Sequence, residues 1–248
     1  MRVPAALFLV LSLVTAAGSS SALAAGGGSQ ELAMAAPIWN RTPVVGLQVG
    51  HWQAQALPKE LADLRDNPGA VRDGYRELDA NLAVTRAAAA VLRTAGVKVD
   101  ILPATIPAGY QADAFVAIHA DQDVGGQHWR GYKTASSALS QDKPDSRLLS
   151  STLGATYADE TGLPPDTHAG AISPDMRFYY AFNWQDFQHA IDPQTPAAII
   201  ELGFVSDQTD RDLLFGRPDQ AGQAVADGIL RFLQGQGSLV PDSDTTEP

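Results

Sequence analysis

Asp113-Ala114-Phe115-Val116-Ala117-Ile118-His119-Ala120-Asp121 is an apolar run that stops abruptly in a histidine and an aspartate. Its length and its β-branched and aromatic content fit a central strand buried on both faces, as in a parallel sheet flanked by helices. The polar residues at its end then emerge at the carboxyl edge of the sheet. Ligands bind at that edge in open α/β sheets, because the loops leaving the strands converge there. Val44-Val45-Gly46-Leu47-Gln48-Val49-Gly50-His51 repeats the pattern, with a glycine just before the histidine. Pro196-Ala197-Ala198-Ile199-Ile200-Glu201-Leu202-Gly203-Phe204 repeats it with a carboxylate. Three strands therefore bring His51, His119 and Glu201 to one sheet edge.

Between the first two strands lies the clearest helical signal in the chain. It opens at Glu77, and Leu78, Leu82, Thr85, Ala89 and Leu92 recur at four- and three-residue steps to give one packing stripe. The alanine run favours helix, Gly96 is the stop, and Val97 to Leu102 reads as the next strand. Strand, helix, strand in this order implies a crossover and a parallel sheet. Glu77, in the first turn of the helix, then shares the sheet edge with His51. The helix dipole by itself favours a glutamate there.

The remaining segments are less distinct. Trp52 to Asp73 is polar and irregular, with a short helix expected around Leu57 to Leu64, and Asp123 to Arg130 reads as a loop. Pro144 to Thr161 reads as one helix carrying Leu148, Leu149, Leu153 and Tyr157, closed by Gly162. Met176 to Phe182 is open between a strand and a partly exposed aromatic wall, its aromatics serving packing. Asp210 to Leu214 suggests a helical turn, and Ala221 to Leu233, with Val225, Ile229 and Phe232 on one face, a closing helix.

At the amino end, residues 1–24 have the form of a secretory signal: Arg2, an apolar stretch from Ala5 to Ala17, and Ala22-Leu23-Ala24 as a cleavage site. The apolar stretch is short for a membrane span, so export with no stable membrane insertion after cleavage is expected, to the extracellular space, wall or periplasm. Residues 25–42 read as linker, 43–234 as one catalytic domain and 235–248 as a disordered tail poor in apolar residues. Without the signal the chain carries 16 basic and 28 acidic side chains, a balance of −12. Such a surface argues against a nucleic-acid partner, which calls for a basic patch, and a monomer is expected. The chain has no cysteine, which leaves His, Asp and Glu as the available ligands for a metal.

His51, Glu77 and His119 together have the composition of a catalytic zinc site, two imidazoles and a carboxylate with a fourth position left for water. Zinc lowers the pKa of such water to near 7 and so generates the nucleophile, with Glu201 as general base. Hydrolysis of an amide bond fits this set.

These motifs resemble, in order, those of the zinc-dependent N-acetylmuramoyl-L-alanine amidases, which cleave the bond joining the glycan lactyl group to the stem peptide of peptidoglycan. The resemblance runs from about Pro43 to Leu233. Gly50-His51 is similar to the first ligand turn. In Glu77-Leu78-Asp79-Ala80-Asn81-Leu82 the family's glutamate is followed by Asn-Leu, and Phe115 to Asp121 is similar to the strand of the third ligand. Ile200 to Asp207 resembles the strand of the catalytic glutamate, and Ala226-Asp227-Gly228-Ile229 the last helix. The resemblance implies a single α/β domain of phosphorylase/hydrolase-like type, a twisted, mostly parallel sheet flanked by helices on both faces. It also implies one Zn2+ on His51, Glu77 and His119, catalytic Glu201, and peptidoglycan as partner.

Trp52-Gln53 replaces the glycines usual after the first histidine, and Leu202 a common threonine. Those departures leave room for a wall-binding or regulatory domain without turnover, and a zinc carboxypeptidase acting on peptides is a further alternative. The 82 residues from His119 to Glu201 allow an inserted lid built on the Pro144 to Thr161 helix. Arg177, through its planar fork, and His168 are candidate substrate contacts; His128 and His189 read as surface residues.

Overall fold

A computed structural model describes residues 41–237, which lie in one compact unit. The expected signal segment, most of the linker and residues 238–248 fall outside the described residues. The chain enters through β1 (Val44–Val49) and crosses two 3-10 turns, Ala54–Ala56 and Lys59–Leu64. A small hairpin, β2 (Val71–Arg72) and β3 (Tyr75–Arg76), leads directly into α1 (Glu77–Thr94) and then β4 (Lys98–Leu102). β5 (Ala114–Asp121), β6 (Lys133–Ser136), α2 (Lys143–Thr161) and the short α3 (Pro174–Arg177) follow. A 3-10 turn at Tyr180–Phe182, β7 (Ala197–Phe204), α4 (Gln208–Leu214) and α5 (Pro218–Gly237) complete the described fold.

The main sheet has the order β4-β1-β5-β7-β6. Its first four strands are parallel, and β6 closes one edge antiparallel to β7. The connection leaving β1 runs toward β4 and the one leaving β5 runs toward β7 and β6, in opposite directions along the sheet. Such a divergence opens a crevice at the carboxyl ends of the two strands.

Strand alternation assigns each face of the sheet its cover. Val45, Leu47, Val116, Ile118, Ala198, Ile200 and Leu202 turn to the main core, shared with α1, α2 and α5. Phe115, Ala117, Ala135, Ala197 and Ile199 turn to the other face, covered by α3, the 180–182 turn and the loops around Ile106 and Ile191. Both faces are thus covered, one by long helices and the other by short aromatic-rich segments. Met176 to Phe182, open between strand and wall in the sequence, supplies part of that second cover as a helical turn followed by a 3-10 turn.

The helix expected at Pro144 to Thr161 is present, but it is no lid. α2 packs on α5, β6 and β7, and Leu149, Leu153 and Tyr157 have no exposed surface. The buried Tyr157 hydroxyl donates to the Leu202 carbonyl at 2.9 Å, tying α2 to the strand that carries Glu201. Leu153 lies under α5 so closely that a side chain at Gly228 would sit 2.9 Å from the Leu153 Cα. The stripe that predicted the helix is therefore a core stripe. Leu153→Ala should cost roughly 2–5 kcal/mol of unfolding free energy, read by chemical denaturation, without raising activity per folded molecule. A large rise in activity would restore the lid.

Candidate metal centre

Across the sheet, Gly50, His119, Glu201 and Lys133 form one row. His119 pairs with Glu201 and Glu201 with Lys133, while the Gly50 N–H, just beyond β1, donates to the Ile118 carbonyl at 2.9 Å. By alternation the row faces the aromatic side. The His119 ring lies back over Gly50: a Cβ there would come within 2.4 Å of its Cε1. Only glycine leaves the imidazole this space.

His51 follows at the strand end with φ of 62°, a left-handed conformation uncommon for residues other than glycine and often found where a side chain must be aimed. Its Nδ1 lies 3.0 Å from the Asn67 carbonyl. Donation to that carbonyl makes Nδ1 the protonated nitrogen and leaves Nε2 with its lone pair facing Glu77, 3.4 Å away. The loop that supplies Asn67 continues through Gly69, whose φ is 77° and where a Cβ would lie 2.5 Å from Glu77 Oε2.

Glu77, at the start of α1, is 3 % exposed. Its Oε2 accepts from the Ala70 N–H at 2.7 Å; its Oε1 accepts from the Ala120 N–H and Asn81 Nδ2, both at 3.2 Å. Asn81, one helical turn on, also reaches the Gly50 carbonyl at 3.4 Å. His119 Nδ1 lies 2.9 Å from Oε1. Burial by itself would raise the Glu77 pKa, but the facing His119 and His51 hold it well below the usual carboxylate range. The reciprocal effect acts at His51, where burial lowers the pKa and Glu77 more than offsets it, leaving the imidazole above its ordinary value.

One ligand atom each from His51, Glu77 and His119 falls within 4.8 Å of the others. Two imidazole nitrogens and an anionic oxygen converge, with the outer atoms of His51 and Glu77 already bound to backbone. Nitrogen and carboxylate donors of this kind suit zinc, and each imidazole is held by a partner on its far nitrogen, as ligating histidines usually are. The residues present fit a metal ion.

Glu201 stands in the next place of the row. Its Oε2 is buried and has no hydrogen-bond partner. Burial, reinforced by Glu77 and Asp121, pushes its pKa well above the ordinary carboxylate value, with Lys133 opposing. Lys133 Nζ is anchored on Asp121 Oδ2 at 2.6 Å. A cleft of about 400 Å³ opens beside the centre, lined by His51, His119, Leu57, Asn67, Phe178 and Tyr179 among others. Arg177 is exposed next to Phe178 and does not line it. His168 is held by Asp166 at 2.7 Å and stacks on Trp129 with ring centroids 3.8 Å apart. His189 is tied to Glu60 at 2.8 Å, and His128 is an exposed loop residue with φ of 58°.

The sequence reading brought together His51, Glu77, His119 and Glu201 and missed their supports. Asn81 stands inside the quoted helix motif, where its position one turn after Glu77 was a usable signal. Lys133 lies in a four-residue polar strand with no apolar run to mark it, and Tyr179 was read only as packing.

Two imidazoles and a buried carboxylate at the crevice of an open sheet, beside a second acidic group, define an α/β protein with a candidate metal centre of hydrolytic type. The model of one family, N-acetylmuramoyl-L-alanine amidase, matches residues 64–231. The chain belongs to that family and is an enzyme of its type. The matched span includes Glu77, His119 and Glu201 and begins after His51.

Solved structures agree in fold. Ami1 of Mycobacterium smegmatis, an N-acetylmuramyl-L-alanine amidase, superposes with a TM-score of 0.59 at 21% identity, covering 78% of this chain and 98% of its own. The CwlD amidase of Clostridioides difficile, solved with the GerS lipoprotein, gives 0.55 at 18%, covering 78% and 100%. AmiC2 of Nostoc punctiforme gives 0.51 at 19%, covering 77% and 97%. Among curated protein sequences none matches the chain.

The space over Gly50 yields a direct test. Gly50→Ala forces its methyl into the His119 ring and should destabilise the protein by about 1–3 kcal/mol while weakening zinc uptake. Unchanged melting and unchanged zinc binding together would mean that the strand end gives way freely.

Proposed function

We propose that this chain hydrolyses the amide bond between N-acetylmuramic acid and L-alanine in peptidoglycan, with one Zn2+ held by His51, Glu77 and His119 and with Glu201 as general base. The carrying observation is the convergence of the three ligand atoms within 4.8 Å, with Glu201 next to His119 on the same strand row. The family match supports the substrate and bond. A zinc ion there supplies Lewis acidity toward an amide carbonyl and lowers the pKa of water.

The chain's own groups supply the rest. Glu201 takes a proton from the attacking water and returns it to the departing amine, so the acyl group leaves as a carboxylic acid and the stem peptide as a free amine. Its buried, unpartnered Oε2 and raised pKa suit a group that must accept and hold a proton. Asn81 and the Ala70 and Ala120 N–H groups fix the Glu77 carboxylate, so that the ligand does not swing during the reaction. The cleft admits an apolar or small part of the substrate against Leu57, Leu64, Ala54 and Tyr179. Arg177, exposed and next in sequence to the cleft residue Phe178, is available to a stem-peptide carboxylate. His168 is engaged with Asp166 and Trp129, and in this reading contacts substrate only beyond the cleft.

Peptidoglycan as substrate fits export through the amino-terminal segment. No helix among the described residues is long and apolar enough to cross a membrane. A wall-binding module without turnover has no use for a proton acceptor beside the centre, and a carboxypeptidase would release single amino acids from peptides.

Product analysis separates these readings. Purified peptidoglycan incubated with the full chain should yield stem peptides with a new alanine amino terminus, lost on chelation and recovered with zinc. Glu201→Gln should lower the rate by about 10²–10⁴-fold with zinc still bound. Full activity in that variant removes Glu201 from the mechanism, and activity indifferent to chelation removes the metal.

A further inference from the structure

Tyr179 belongs to the short aromatic cover, between α3 and the 180–182 turn, and its ring packs on Tyr180 and Phe182 with centroids 4.5 and 5.6 Å away. Packing does not account for its hydroxyl. The Tyr179 Oη lies 3.0 Å from Nε2 of His119, the nitrogen opposite the one that faces Glu77. The two rings meet edge to face, with centroids 5.3 Å apart.

A ligating nitrogen keeps its lone pair for the metal, so with Nδ1 on the Glu77 side the hydrogen belongs on Nε2 and the Tyr179 oxygen accepts it. The Tyr180 hydroxyl donates to the Ala104 carbonyl at 2.6 Å, a group that can only accept. Gln48, fully buried on β1, donates through Nε2 to that same carbonyl at 3.1 Å and to the Tyr180 Oη at 2.9 Å. With its proton committed to Ala104, the Tyr180 oxygen is left as an acceptor. Tyr180 is thereby pinned beside the Tyr179 ring, 4.5 Å away between centroids, and keeps that ring against His119.

We infer that Tyr179 is a positioning residue for the metal centre: its hydroxyl oxygen holds His119 with the proton on Nε2 and the Nδ1 lone pair toward Glu77 and His51. The inference rests on the metal-centre reading given above. A carboxylate or backbone carbonyl commonly holds the far nitrogen of a ligating histidine. Here a phenol does so, from the aromatic cover on the second face of the sheet. Tyr179 also lines the cleft, which places the support of the ligand in the wall that substrate touches.

The test is zinc affinity, measured for the full chain by competition with a chromophoric chelator. Tyr179→Phe keeps the ring and its packing and removes only the acceptor; its zinc Kd should rise about 10–100-fold. The metal-free melting temperature should stay near that of the unaltered chain, which separates positioning from a structural role. In zinc-loaded protein labelled with 15N-histidine, the His119 Nε2–H should be protected from solvent exchange, and lose that protection in Tyr179→Phe. A zinc Kd for Tyr179→Phe within about twofold of the unaltered chain, below the range expected for loss of such a partner, together with a retained protected N–H, overturns the inference. An unaltered chain that takes up no zinc overturns the metal-centre reading itself, a separate and recognisable result.

Discussion

A carboxylate almost fully removed from water is the constraint on which the rest of this edge depends. Glu77 is 3 % exposed, and an ionised group in such a place persists only where hydrogen bonds and opposite charge replace its water. Three separate parts of the chain provide them: the loop at Ala70, the end of β5 at Ala120, and Asn81 one turn along the same helix. The imidazoles of His51 and His119 then close on Oε1. Because α1 starts at Glu77 itself, satisfying this carboxylate also fixes where the helix begins relative to the sheet, and with it the main core.

The second constraint is steric and runs across the strands. His119 can lie flat over the sheet end only because its neighbour in the row is Gly50. Glu201 and Lys133 occupy the following two places. Near this point the pairing of β5 with β7 shifts register between His119 and Asp121, an irregularity of the kind that re-aims side chains beside functional sites. The row is thus a property of strand order: positions on β5, β7 and β6 and just beyond β1 become adjacent once β5 lies between β1 and β7.

What could be read from the sequence followed from signals long enough to exceed local ambiguity. β5 and β7 open on the apolar runs Ala114–Ile118 and Ala197–Ile200, and a run of that kind ending in His or Glu states both the element and the edge. α5 carries a full helical stripe, while on α1 the buried face runs through Ala80, Val84, Ala88 and Leu92 and leaves the expected Leu78 and Leu82 half-buried. β6 gave no such signal, since Lys133–Ser136 has one buried apolar residue, Ala135, and owes its strand form to pairing with β7. Met176 to Phe182 stayed open between strand and wall for another reason: Phe182, Tyr179 and Tyr180 pack from short helical turns while Phe178 stays exposed, and in such turns neither a period of two nor one of 3.6 can develop. For α2 the stripe at Leu149, Leu153 and Tyr157 said that something covers the helix, but not that α5 and β7 are the cover. Asn81 and Tyr179 were visible as residues, yet their roles depend on atoms brought from Gly50 and His119, so no local pattern could have assigned them.

Charge at the crevice closes the argument. Glu77, Glu201 and Asp121 gather around the end of β5, and among the groups that bear on Glu201 the one permanent cation is Lys133, already drawn to Asp121 at 2.6 Å. Close carboxylates in a poorly hydrated place disfavour one another's ionisation, which is how Glu77 raises Glu201 here. The two are separated by role rather than by residue type. Glu77 is surrounded by donors and holds its charge; Glu201 has a buried oxygen with no donor and resists charge. In the proposed mechanism one binds a cation and the other receives a proton. The difference arises from where each sits, one at a helix start under converging N–H groups and the other mid-row on a central strand.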